Sequence, residues 1–213
     1  MRKLLIGIGL AAVLAVPATA QAQEKKVVFT PMVGGVVGSG PGASFSGAIS
    51  FKASEKIQII GEFGRLTNVL PKSVLDQVEV NAALAANLLN GKHTSDATAT
   101  ANFGMIGIRH AMRDISGANT FLEIGVGMAN VKSEVEAEIR GSALRQGSIA
   151  DLVTTPFTSS TPETKPLVSV GGGLVLGISK TLAVEMGARY QRIFTSNTAI
   201  NIGNIFGGLR VGF

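Results

Sequence analysis

The segment Phe206-Gly207-Gly208-Leu209-Arg210-Val211-Gly212-Phe213 decides the fold. Counting back from Phe213, the alternate positions Val211 and Leu209 are apolar, while Gly212, Arg210 and Gly208 fall between them. A period of two is the period of a β-strand, whose successive side chains point to opposite faces. An apolar face backed by a face of glycine and one arginine belongs to a strand with a different solvent on each side. The same pattern recurs upstream. Residues 181–194 set Leu182, Val184, Met186, Ala188 and Tyr190 against Ala183, Glu185, Gly187, Arg189 and Gln191. Residues 119–131 set Leu122, Ile124, Val126 and Met128 against Phe121, Glu123, Gly125 and Gly127, and residues 56–67 set Ile57, Ile59, Gly61 and Phe63 against Gln58, Ile60, Glu62 and Gly64.

Eight segments alternate in this way, near 27–37, 43–53, 56–67, 97–112, 119–131, 166–178, 181–194 and 200–213. Each supplies the 9–11 or so residues that a tilted strand needs to cross a bilayer. A sheet survives in lipid only when its edges close on each other, because no water is there to satisfy an open edge. The expected fold is therefore all-β: an eight-stranded antiparallel up-and-down transmembrane barrel. Connections are short at 53–56, 113–118 and 179–181, while 68–96 and 132–165 are long; Gly38–Gly42 and Ser196–Thr198 are brief. Short turns at one end and longer loops at the other is the outer-membrane arrangement, with both termini on the short-turn, periplasmic side. A soluble lipocalin-like barrel is the alternative, and it requires an apolar interior and a polar exterior.

Residues 1–22 read as a secretory signal peptide: Arg2 and Lys3, an apolar stretch from Leu4 to Val16, then the small-residue sites Ala18-Thr19-Ala20 and Ala20-Gln21-Ala22. The apolar run is short for a membrane anchor, which needs about 20 residues. Residues 23–213 then form one barrel domain, with no soluble domain expected after it. Mean hydropathy is +0.36 although no later run has the length of a membrane helix, which suits strands alternating between lipid and lumen. Loss of Arg2 and Lys3 takes the formal charge from +5 to about +3, so the pI of 9.7 is no nucleic-acid signature. There is no cysteine, which excludes disulfides and thiolate metal sites. No cofactor or metal site is expected. A closed barrel has no free edge that demands a partner, and a monomer is expected.

Taken together, the chain resembles the eight-stranded outer-membrane barrels of the OmpA transmembrane-domain and OmpX type, a porin-family pattern. The carriers are Gly187-Ala188-Arg189-Tyr190-Gln191-Arg192, Gly107-Ile108-Arg109-His110 and the closing Leu209-Arg210-Val211-Gly212-Phe213. The resemblance implies that Leu209, Val211 and Phe213 form the signal read by the barrel-assembly machinery. It also implies a cell-envelope protein without enzymatic activity. The chain departs from the pattern in having no Trp and one Tyr, so Phe must serve at the membrane interfaces.

Six charges fall on inward faces: Glu62, Arg109, Glu123, Glu185, Arg189 and Arg210. Arg109 and Glu123 are equidistant from Ser116, and Glu185 and Arg210 from the Asn197–Thr198 turn, so each pair is expected to meet across neighbouring strands. Glu62 should lie at a similar depth, with Arg189 a layer higher. Charges withdrawn from water require partners, and an eight-stranded barrel is just wide enough for its side chains to fill. The expectation is a lumen plugged by Glu–Arg pairs; a narrow pore for small solutes using the same charges is the alternative. Arg65 and Arg192 interrupt lipid-facing rows at the outer ends of their strands, where they can snorkel to the interface or meet lipopolysaccharide phosphates. Residues 73–90 read as an amphipathic helix or as strand extensions, and 133–140, with Glu134, Glu136 and Glu138 on one face, as a strand prolonged beyond the membrane. Gly34–Gly42 and Gly171-Gly172-Gly173 lack the Lys-Ser/Thr of a phosphate loop. His93-Thr94-Ser95 matches the His-x-Ser pair of lipid A deacylases but is expected in a loop before the fourth strand, without a supporting carboxylate. The functional expectation is a structural and surface-interacting protein acting through 68–96 and 132–165.

Overall fold

The computed structural model describes residues 26–37, 41–88, 92–115, 118–140, 162–195 and 199–213. The signal segment 1–22, Ser116, residues 141–161 and the Asn197–Thr198 turn lie outside them. The strands are β1 (Val27–Val37), β2 (Pro41–Lys52), β3 (Ile57–Thr67), β4 (Lys92–Ile115), β5 (Ala118–Arg140), β6 (Glu163–Gly177), β7 (Leu182–Phe194) and β8 (Ala199–Gly212), with one helix, α1 (Lys72–Leu88), between β3 and β4. Each strand pairs antiparallel with its neighbours in sequence, and β1 pairs with β8, which closes the barrel. Closure is completed beyond the ladder by Phe213 N–H donating to the Val27 carbonyl at 2.9 Å. Pro31, which has no N–H to donate, sits in β1 where no pairing to β8 is recorded.

The alternation becomes a two-sided wall. Outward positions are apolar and exposed around the whole circumference: Phe29, Phe45, Phe63, Ile106, Ile124, Val170, Tyr190 and Ile205 are examples from β1 to β8. Such a continuous exposed band is far larger than soluble proteins tolerate. Inward positions are small, polar or charged. This polarity is opposite to that of a soluble barrel, so that reading is set aside.

The two short turns visible at the terminus-bearing end share one construction. Ser54 Oγ accepts from Ile57 N–H at 3.2 Å, and Ser179 Oγ accepts from Leu182 N–H at 3.1 Å. A serine hydroxyl that folds the chain back on itself this way makes a tight hairpin without glycine. The opposite end is elaborated. Beyond the Thr67–Thr100 and Val131–Glu163 pairs, Lys92–Ala99 of β4 and Ser133–Arg140 of β5 pair only with each other in the sheet. They form a two-stranded ribbon about 25–30 Å long at the usual rise per residue. The strand expected beyond 133 is present, and β4 begins well before the expected 97.

Asn68 leaves β3 with φ of 55°, a left-handed conformation that asparagine tolerates, and its amide donates to the Pro41 carbonyl at 3.2 Å. The chain then enters α1, where Val74, Val78, Ala82 and Ala86 recur at four-residue spacing and are buried. Three of them join Val36, Leu66, Leu167, Ile193, Ile200 and Ile202, inward residues from β1, β3, β6, β7 and β8, in one apolar cluster. The segment 73–90 is therefore helical through Leu88, and its buried face completes the filling of the barrel mouth.

Candidate functional site

Beneath that apolar layer the interior is ionic. Glu62, Arg109, Glu123, Glu185, Arg189 and Arg210 are all buried, Glu185 completely. The structure gathers them into one linear chain of alternating charge. Glu62 Oε1 accepts from Arg189 Nη1 at 2.7 Å, and Arg189 Nη2 donates to Glu123 Oε1 at 2.6 Å. Glu123 Oε2 accepts from Arg109 Nη2 at 2.8 Å. Arg109 then grips Glu185 with both terminal nitrogens, each at 2.7 Å. Arg210 Nη1 ends the chain on Glu185 Oε2 at 2.9 Å. Three carboxylates and three guanidiniums balance, which is what charges sharing a low-dielectric interior require. Arginine suits the purpose because its planar fork can hold two acceptors at once.

The chain crosses the barrel. Its members come from β3, β4, β5, β7 and β8, and three of its five links, Glu62–Arg189, Arg189–Glu123 and Arg109–Glu185, tie together strands that are not neighbours. Glycines make the space. A side-chain carbon on Gly171 would meet Arg189 Cβ and Cγ at 3.2 Å, and one on Gly173 would meet the Phe121 ring at 2.9 Å. Phe121 occupies the room at Gly173 and Phe206 that at Gly187, where an added carbon would meet its ring at 2.8 Å, and they stack on the guanidiniums of Arg109 and Arg189, at 4.0 and 4.9 Å. Each such stack of cation on ring adds an attraction that desolvation strengthens. The Gly171-Gly172-Gly173 run is thus a packing device in β6.

Arg109 and Glu123 are direct cross-strand partners, in the register their distance from Ser116 predicts. The register of β7 and β8 differs from expectation. Arg210 faces Ala183 and Glu185 faces Gly208, two residues from a direct pairing. The hairpin centre lies one residue earlier than the Asn197–Thr198 reading, and Arg210 reaches Glu185 diagonally. Gln58, not singled out in the sequence, extends the set: its Oε1 accepts from Arg210 Nη2 at 3.2 Å. Its inward position two residues before Ile60 on the Glu62 face was the available signal.

A cavity of about 310 Å³ opens at the terminus-bearing end and is floored by Arg109, Arg210, Gln58 and Phe121. Glu62 Oε2 within the ionic chain, and Ser169 Oγ and both side-chain polar atoms of Gln191 above it, are buried without a hydrogen-bond partner among the described residues. The ionic layer is therefore bordered by a polar zone, with the apolar cluster further out.

Outside the barrel, Arg65 and Arg192 are both exposed on outward faces. Arg192 stacks on Phe194 at 5.4 Å. On the neighbouring ribbon Lys132 Nζ donates to Glu134 Oε1 at 2.6 Å, which holds that exposed carboxyl below its usual range. Leu209, Val211 and Phe213 also face outward, Phe213 at 70% exposure. His93-Thr94-Ser95 lies within β4, paired with Ile139-Glu138-Ala137, and not in a preceding loop; its side chains fall outside the described residues. The loop 68–96 resolves into α1 and the start of β4, and of 132–165 only the strand portions are described.

No protein-family model matches the sequence, and no curated protein matches it. Among solved structures, the chain is similar to Neisserial surface protein A at a TM-score of 0.53 and 14% identity, covering 88% of this chain and 96% of that one. It is similar to the N-terminal β-barrel domain of Pseudomonas aeruginosa OprF at 0.51 and 10% identity, covering 90% and 100%. The chain has the fold of the eight-stranded outer-membrane β-barrels. At these identities the shared property is the architecture of a closed eight-stranded barrel.

Proposed function

We propose that this barrel resides in a bacterial outer membrane as a closed, non-conducting scaffold that presents its elaborated end to the outside. The carrying observation is the double filling of the interior, an ionic layer from Glu62 to Arg210 followed by an apolar layer that runs into α1. The terminus-bearing cavity ends on Arg109 and Arg210. The exposed apolar circumference supports a membrane setting, as does the architecture shared with a surface protein of Neisseria. The role is structural and interactive, not enzymatic. Segments 68–96 and 132–165 meet an extracellular partner, Arg65 and Arg192 meet lipopolysaccharide, and the outward Leu209, Val211 and Phe213 serve the barrel-assembly machinery during insertion. Segment 1–22 is read as the leader that directs export.

Single-channel recording of the refolded protein in a planar bilayer tests this. The wild type should be silent while the same preparation shows the heat-dependent gel shift of a closed barrel. Steady openings would overturn the plug and promote the narrow-pore reading, with Arg109 and Arg210 as its selectivity residues.

A further inference from the structure

The outer wall has a dent. Gly61 of β3 and Gly104 of β4 face outward as diagonal neighbours, and a side-chain carbon built on either would meet nothing within 4 Å. The dent belongs to a groove of about 540 Å³ walled by Ile49, Phe63, Ile106, Val126 and Met128. Gly35 of β1 is also open on the outward face, but at Gly61 and Gly104 two open positions fall together in one apolar groove, a seat for something flexible and apolar.

What lies above the groove specifies its occupant. Two residues beyond Phe63 on the same face stands Arg65, paired in register with Asn102, which in turn pairs with Asn130. Asn130 donates to Thr164 Oγ1 at 3.2 Å. One step further out are Thr67, Thr100 and Lys132, with Lys132 held by Glu134. Among the described residues Arg65 makes no ion pair within 4.0 Å. It attracts the Glu134 carboxylate from beyond that distance. Four residues separate Gly61 from Arg65, about 13 Å along a strand. That is the spacing of a headgroup at the interface and an acyl segment well inside the leaflet.

We infer that β3, β4 and β5 form a seat for one phosphate-bearing lipid of the outer leaflet, lipid A, with a phosphate on Arg65 and an acyl chain in the Gly61–Gly104 groove. This rests on the outer-membrane reading above and deepens its lipopolysaccharide contact, distinguishing Arg65 from Arg192. Arg192 already lies over the Phe194 ring. Arg65 supplies a forked donor set matched to phosphate, in a polar row where desolvation is slight. The groove supplies shape, which a featureless lipid annulus does not have.

The test is native mass spectrometry of the full barrel, refolded, transferred to mild detergent and titrated with hexa-acyl lipid A or with phosphatidylglycerol. Wild type should retain one lipid A in preference to phosphatidylglycerol. Arg65→Ala should lose about tenfold in affinity, the value of one charge-assisted hydrogen bond. Gly61→Phe, whose first side-chain carbon meets nothing within 4 Å and whose ring would occupy the groove, should lose at least as much, and Arg192→Ala should leave retention unchanged. Retention equal to wild type in both Arg65→Ala and Gly61→Phe overturns the seat, as does equal retention of phosphatidylglycerol. Every variant is first checked for the heat-dependent gel shift after refolding in vesicles. A wild type that inserts into no vesicle refutes the membrane reading itself, whereas an inserted barrel that ignores lipid A refutes only the seat.

Discussion

Replacing Arg109 by alanine should be the costliest single change in the barrel interior. Its guanidinium makes four hydrogen bonds, at 3.2 and 2.8 Å to Glu123 and at 2.7 Å twice to Glu185. It also lies over Phe121 at 4.0 Å. Truncation leaves Glu123 held only by Arg189, and Glu185 only by Arg210, so two buried carboxylates each lose a partner and the layer becomes net negative. Removing one member of a buried ionic group costs about 3–5 kcal/mol, mostly because the remaining charge is stranded. Arg210 ends the chain with a single carboxylate contact and a side chain 10% exposed beside the terminus-end cavity. Water can replace it, so Arg210→Ala should cost about 1.5–3 kcal/mol, the worth of one charge-assisted hydrogen bond. The assay is equilibrium urea unfolding of protein refolded into phosphatidylcholine vesicles. It should be read by far-ultraviolet circular dichroism and gel mobility, because the chain has no tryptophan to report by fluorescence. An Arg109→Ala barrel as stable as Arg210→Ala, or within about 1 kcal/mol of wild type, would refute the idea that the chain acts as a connected lattice.

Other consequences are separable from this one. Glu62→Gln should lie within about 1 kcal/mol of wild type in the same assay, since Glu62 has one guanidinium partner and an oxygen already unpaired, whereas Glu123→Gln should approach the Arg109 cost. Ile124→Lys, at an outward position that is 63% exposed, should destabilise the vesicle-inserted barrel by about 2–4 kcal/mol if it faces mid-bilayer, while Ile124→Leu should be neutral. Gly127→Val should prevent refolding in the gel-shift assay, because its first side-chain carbon would strike the Gly104 carbonyl. Val78→Asp places a charge in the buried apolar layer at the mouth, so limited proteolysis should begin to cut α1 while the gel shift of the barrel persists.

The β-wall was legible because its signal is repeated. Each strand states the two-residue period afresh, and eight independent statements fix both the closure and which face meets lipid. The elaborated end has no such redundancy. Residues 73–90 carry Val74, Val78, Ala82 and Ala86 at helical spacing, yet alanine and asparagine dilute the contrast, so helix and strand readings both survive. What decides between them is tertiary: an open barrel mouth lined by Leu66, Leu167, Ile193 and Ile200, which an apolar helix face covers. The early start of β4 has a similar cause. His93 to Asp96 shows no alternation, and strand formation there follows from pairing with Glu136 to Ile139 of β5. The groove at Gly61 and Gly104 was out of reach for another reason, since a sequence shows two glycines but not that their neighbours leave the space empty.

The interior charges show why faces are easier to read than pairings. Placing a hairpin centre one residue late shifts every cross-strand partner by two, and two is the period of the strand, so each side chain keeps its face. The inward placement of Glu185 and Arg210 was therefore immune to the error in their register, which leaves Arg210 opposite Ala183. Arginine then absorbs the discrepancy, because its long side chain spans a diagonal as readily as a direct step. The same tolerance explains why the ionic layer can be a chain across the lumen and not a set of ladder pairs. Arg109 meets Glu123 in register, but it grips Glu185 from across the barrel, and no hairpin symmetry relates those two. Local symmetry predicts rungs; the cross-barrel links depend on lumen width and on glycines such as Gly171 and Gly173 that make room for large side chains. A barrel of the same charges with those glycines filled would keep its faces and lose its lattice, and refolding Gly171→Val alongside Arg189→Ala would distinguish the two losses by whether their costs add.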